Sequence, residues 1–181
     1  MCLDDAPFRR CNFDNPPILV TEINVDGTAV LGLEDKELQA KILVRQITIK
    51  IWEGKYYEAS ETLKESQQLF ENCSDALKGR WQGQMALVLR RLANQENRMS
   101  YFDRAIVEYT ASVFYCERAG HERYCAATLN NLAFLLYKME RYEEAHEHLD
   151  RARTFLERLN DVGLLAQVEE TRARVLLTEE R

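Results

Sequence analysis

Residues 127 to 152 read ATLNNLAFLLYKMERYEEAHEHLDRA, and their apolar positions are spaced for two helices with one break near Glu140. In the second of them Tyr142, Ala145, Leu149, Ala152, Leu156 and Leu159 advance in steps of three and four, so one face is continuously apolar. Moved back by forty residues, the stripe falls on Phe102, Ala105, Tyr109, Ser112, Cys116 and Ala119. The preceding helix behaves alike: Leu129, Leu132, Ala133 and Leu136 fall on Leu89, Leu92, Ala93 and Glu96. A further shift of forty-six residues puts Ile47 under Ala93 and Ala59 under Ala105, the six extra residues being assigned to a loop around NCSDALKG. Moved forward by forty, the pattern places Ala173 under Ala133 and Leu176 under Leu136, so another first helix starts near Gly163.

The hairpin is therefore a module, and the sequence predicts an all-α array of about three and a half helix-turn-helix units with seven main helices. The expected organisation is a leader over 1–34 and an array over 35–181. Its units are about 35–78, 79–120, 121–162 and a final helix 163–181. Gly54, Gly79, Gly120 and Gly163 fall at expected breaks, where glycine serves a turn, and Gly83 does not. Ala133 and Ala145 are small enough to let two antiparallel helices approach. All three prolines, Pro7, Pro16 and Pro17, precede residue 18. The β-branched stretch Ile18 to Leu33, with its Asp-Gly turn signal, is expected to form a short hairpin or extended leader over the first hydrophobic helix.

Composition bounds the function. With 46% hydrophobic and 30% charged residues, the chain has the make-up of an ordinary soluble globular protein. No apolar run approaches the ~20 residues that a membrane span needs. The amino terminus, MCLDDAPFRR, is not built as a signal peptide, so cytoplasmic residence is expected. A net charge of -6 argues against nucleic acid as a partner. Five cysteines without a C-x-x-C pair indicate neither a disulfide framework nor a zinc site, and a functional bridge between Cys116 and Cys125 is not expected.

Leu132-Ala133-x-x-Leu136, then Tyr142, then Ala145-x-x-x-Leu149 and Ala152, resembles a tetratricopeptide repeat (TPR), and the resemblance covers roughly residues 35 to 181. T-L-N-N-L-A from Thr128 followed by R-Y-E-E-A from Arg141 is similar to the long-helix repeats of kinesin light chains and many bacterial regulators. The resemblance implies a right-handed α-solenoid whose first helices line a concave groove that holds peptides or protein segments. It implies no chemistry and no cofactor.

The residues agree on chemistry. His146 and His148 lie about 200° apart on a helix and cannot share a metal, and no phosphate loop, nucleophile elbow or zinc-protease motif occurs. No catalytic or metal site is expected. On the second unit's first helix, Met85, Val88, Leu89, Leu92 and Ala93 share one side. Arg90, Asn94 and Asn97 are expected opposite them, toward the groove, flanked by Leu87, Arg91 and Arg98. The next unit contributes Asn130, Asn131, Phe134, Tyr137 and Lys138, and Arg174, Thr48 and Arg45 extend the rows. The three full first helices sum to +1, +3 and +1 and the three second helices to -3, -1 and -2, which makes the groove side basic.

The expected function is a non-enzymatic scaffold that binds an acidic or carboxylate-bearing peptide or protein in a basic groove. The alternative is a sensory or regulatory segment of a larger bacterial signalling or transcription-regulating protein. Replacing Arg90 or Asn131 by alanine is expected to weaken binding and leave stability unchanged. Because the chain stops where another second helix would start, it is expected to be a fragment or an unusually capped array. Its apolar stripe Leu165, Val168, Arg172, Ala173 and Leu176 would then be exposed for self-association through the carboxy-terminal helix.

Overall fold

A computed structural model describes residues 35–179 as seven helices, with no strand among them. They are α1 (Lys36–Trp52), α2 (Tyr56–Glu71), α3 (Asp75–Glu96), α4 (Met99–Arg118), α5 (Glu122–Lys138), α6 (Tyr142–Leu159) and α7 (Val162–Glu179). The leader over 1–34 lies outside the described residues. Each helix packs on the next in the chain, and the further contacts are between first helices, α1 with α3 and α5 with α7. Contacts confined to near neighbours in sequence make the array a solenoid of stacked hairpins.

Local chemistry sets the helix ends. Asp35 caps α1, its carboxylate accepting from the backbone N–H of Glu37 at 2.9 Å and of Leu38 at 3.2 Å. Gly54 and Gly120 take the left-handed conformation in turns, with φ of 76° and 68°. Asn97 and Asn160, at φ of 53° and 52°, end α3 and α6 in the same way, the role asparagine fills when glycine is absent.

The core runs along the stack through Ile47, Leu63, Leu89, Leu129, Leu132, Leu149 and Leu156, with alanines Ala59, Ala105, Ala133, Ala145 and Ala152 fully buried where helices meet. Trp81 closes the step from the first hairpin to the second, packing 6.1 Å from Phe70 and donating its indole N–H to the Leu63 carbonyl at 3.1 Å.

Two expectations about breaks and faces change. The residues assigned to a loop around NCSDALKG instead begin α3 at Asp75, and Gly79 lies inside that helix rather than at a break. The Ser112 hydroxyl donates to the Gly79 carbonyl at 2.7 Å. A Cβ at Gly79 would sit 3.2 Å from the Cys116 N and 3.3 Å from the Ser112 carbonyl oxygen, so glycine there lets α4 approach α3 backbone to backbone. Gly83, one turn on, is covered by the Tyr124 hydroxyl.

The carboxy-terminal stripe is also rotated from its expected place. Val168 is buried and Leu165 and Arg172 are half-buried, because α7 packs with Leu164, Val168, Thr171 and Val175 against its neighbours. Of the expected stripe only Ala173 and Leu176 are exposed, joined by Leu177 and Val162.

Candidate interaction surface

First helices α1, α3 and α5 bound a cavity of about 530 Å³, closed at one end by the turn before α5 and by Leu159. From α1 come Arg45, Thr48 and Trp52; from α3, Arg80, Gln84 and Leu87; from the start of α5, His121, Glu122, Arg123 and Tyr124. A second hollow, about 460 Å³, is lined by Lys36, Gln68, Leu69, Glu71 and Asn72; it balances one cation against one acid and presents no aromatic ring.

Geometry fixes the floor of the larger cavity. The Gln84 amide donates to the Thr48 hydroxyl at 3.3 Å, tying α3 to α1. Arg80 lies over the Tyr124 ring at 5.5 Å. Burial pushes the Tyr124 phenol up to about 12, so it is a neutral hydrogen-bonding group at physiological pH.

The cations at the rim differ in what holds them. Arg123 pairs with Asp161 at 2.6 Å, and Glu122 is taken by Arg158 at 2.7 Å. Arg45 and Arg80 have no ion pair or hydrogen bond among the described residues, and Trp52 beside them is 74% exposed. The cavity therefore offers two available guanidinium groups and an aromatic surface, a combination that suits a carboxylate next to an apolar side chain.

The residues expected from sequence do not form one set. Arg45 lines the cavity, as does Leu87, and Arg91 and Asn131 are half-buried. Arg90, Asn130 and Phe134 are buried, with Arg90 stacked over the Phe134 ring at 5.5 Å. The expectation that Arg90 faces open groove is therefore corrected. α3 is covered by α1, α2 and α4, and a long side chain opposite the apolar stripe packs under the next unit rather than meeting water.

Asn97 caps α3 in a turn, Asn94 is exposed, and Arg98 interacts with Glu96 at 3.4 Å and with the Tyr101 ring at 4.9 Å. Lys138 lies over Phe134 and Tyr137 at the far end of α5, and Arg174, on α7, pairs with Glu170 at 2.8 Å. Trp52, Arg80, Gln84, Arg123 and Tyr124 were missed. A signal existed: Arg80, Gln84, Leu87 and Arg91 advance by four, three and four, a mixed polar stripe that excludes Arg90.

No helix among the described residues is long and apolar enough to cross a membrane, and no group of histidine, cysteine and acidic residues among them could hold a metal. The buried Cys125 thiol is pushed up by its hydrogen bond with Cys116 and by burial, so it is protonated and unreactive.

Residues 125–162, which comprise most of α5 and all of α6, match the tetratricopeptide repeat family. Repeats of this family act in general as scaffolds for protein–protein interaction. No curated protein and no solved structure matches the chain.

Proposed function

Since residues 125–162 match the tetratricopeptide repeat family, we propose that the chain is a non-enzymatic, cytoplasmic scaffold that captures an acidic or carboxylate-bearing peptide segment in the cavity between α1, α3 and the start of α5. The observation that carries this reading is the pair Arg45 and Arg80. On a protein of net charge -6, both guanidinium groups line one cavity, and neither forms an ion pair with an acid among the described residues. A carboxylate accepts two parallel hydrogen bonds from a guanidinium, and Trp52 and Leu87 supply apolar area for a neighbouring side chain. Three buried thiols, Cys73, Cys116 and Cys125, are free, in keeping with a reducing compartment.

The contact set differs from the one the sequence suggested. Arg45 is kept; Arg80, Gln84, Trp52 and Tyr124 join it, and Arg90, Asn130 and Phe134 serve packing. The test is retention of the full chain on immobilised synthetic peptides that are acidic, neutral or basic at matched apolar content. The acidic set should retain it, and Arg45→Ala or Arg80→Ala should each weaken retention by about 1–3 kcal/mol. Retention that ignores peptide charge, or survives both substitutions unchanged, would remove this reading.

A further inference from the structure

Helix α7 takes the place of a first helix, but the side that a first helix turns to its hairpin partner faces outward. Moved back by forty residues, Ala166, Glu169, Arg172, Ala173 and Leu176 fall on Ala126, Leu129, Leu132, Ala133 and Leu136. Those five α5 residues are buried, and α6 is the helix that α5 packs against most extensively. Helix α7 packs on α6 and α5. Its Ala166, Ala173 and Leu176 are exposed and Glu169 and Arg172 half-buried, while Val162 and Leu177, 75% and 63% exposed, extend the same side. At about 100° per residue, Val162, Ala166, Glu169, Ala173, Leu176 and Leu177 lie within an arc of roughly 100°, with Arg172 at its border.

The end of a repeat array meets water unless another chain covers it, and an end built only for water is polar along its whole outer face. On α7 the apolar and small residues occupy both ends of the face, and two charges of opposite sign sit in its middle. That order is self-complementary. When two copies of α7 cross antiparallel about a two-fold axis near Glu170, Val162 of one copy meets Leu177 of the other, Leu165 meets Leu176, Ala166 meets Ala173 and Glu169 meets Arg172, each pair occurring twice. A parallel crossing would set Glu169 against Glu169 and Arg172 against Arg172. Facing alanines let the two helix axes approach closely. Within one chain Arg172 bridges Asp150 and Glu169, and Glu169 lies 3.6 Å from Arg153, so both side chains are held in place on this face.

We propose that this face of α7 is a homodimer interface, in which two copies pair antiparallel about a two-fold axis near Glu170, with Glu169 of each on Arg172 of the other. A single pair of helices about 27 Å long falls at the small end of specific interfaces, so the dimer is weak and forms as concentration rises. The pairing uses the same patch on both copies, so assembly closes at two chains. No α7 residue lines the cavity between α1 and α3, and the dimer presents that cavity twice.

The experiment measures the mass of the full chain by sedimentation equilibrium in four samples: the parent, Glu169→Arg, Arg172→Glu, and the two variants mixed in equal amounts. The parent should pass from one chain toward two as concentration rises. Each variant alone sets like charges together at both contacts, arginine on arginine or glutamate on glutamate, and its dissociation constant should weaken at least about tenfold. In the mixture each new arginine meets a glutamate and each new glutamate an arginine, so association should return to within a few-fold of the parent.

That recovery cannot come from variants that have merely lost their fold. A parent that keeps the mass of one chain up to about 1 mM, where even a dissociation constant of that order shows, overturns the proposal. So does a mass that grows past two chains, which would mean a head-to-tail contact between different patches. Variants that associate as the parent does place the interface elsewhere, and a mixture that stays at one chain removes the pairing of Glu169 with Arg172; either result overturns the proposal.

Discussion

The second hairpin and the first are built from the same pattern and differ in depth. Helix α3, inside the stack, contacts α1, α2 and α4 and buries residues around most of its circumference, including the arginine Arg90 and the glycines Gly79 and Gly83. Helix α1, at the end, buries one face, Ala40, Leu43, Val44, Ile47 and Ile51, and leaves Leu38, Ile49 and Trp52 exposed. Position in an array thus decides what a helix does with its second face. Interior helices commit it to packing, and end helices keep it available. The cavity lies at the junction of the two situations, where the exposed end of α1 meets the interior helix α3.

The largest expected effect tests whether interior and end are separate in stability. Leu132 in α5 and Ile47 in α1 are both almost fully buried, so truncating either to alanine should cost about 2–5 kcal/mol. The consequences should differ in reach. Leu132→Ala should lower protection of amide hydrogens along α3–α6, whereas Ile47→Ala should release α1–α2 and leave α5–α6 protected. Equal loss of protection in α5–α6 from both variants would show one cooperative unit and end the comparison. Next in size is Gly79→Val, which drives a branched side chain into the α4 backbone 3.2–3.3 Å away and should cost about 1–3 kcal/mol by denaturant midpoint.

The same contrast explains how much could be read from the sequence. All seven helices and the hairpin repeat were legible, because a periodic apolar stripe depends only on spacing. The α3 start was not: a glycine at a break and a glycine at a close helix contact look alike in sequence, and only the neighbour that Gly79 meets, the α4 backbone, distinguishes them. The groove was half legible. Arg45 and its α3 neighbours Leu87 and Arg91 were in view, but opposition to an apolar stripe was taken to mean exposure, and inside an array the opposite side is covered by the next unit. Arg90 measures the difference. Buried over Phe134, its replacement by alanine should cost about 0.5–2 kcal/mol. Exposed Arg45→Ala should stay within about 0.5 kcal/mol of the parent. Equal midpoints for the two variants would return Arg90 to the surface.

The smallest effect concerns a titrating group inside the stack. His148 on α6 is half-buried with Nδ1 unpartnered among the described residues, and burial together with Arg151 holds its pKa below the ordinary imidazole value; Glu147 and Glu144 oppose that shift. A histidine kept neutral by the fold binds its proton first in the unfolded chain. As pH falls below about 6.5, the unfolded state gains protons that the folded state refuses, so stability declines until pH passes the depressed folded value. Glu144 and Asp161, whose pKa values are lowered, add a loss of the same sign only in the carboxylate range, and Glu108, raised by burial, opposes them there. From roughly pH 5 to 6.5 the difference between the parent and a variant lacking the imidazole isolates the His148 contribution, because the opposing effect of Glu108 is common to both. Urea midpoints measured across that range should fall with acidification in the parent and flatten in His148→Gln. An unchanged slope in that variant would assign the acid sensitivity to a group other than His148, and interior burial would then be no guide to which side chains of this array respond to pH.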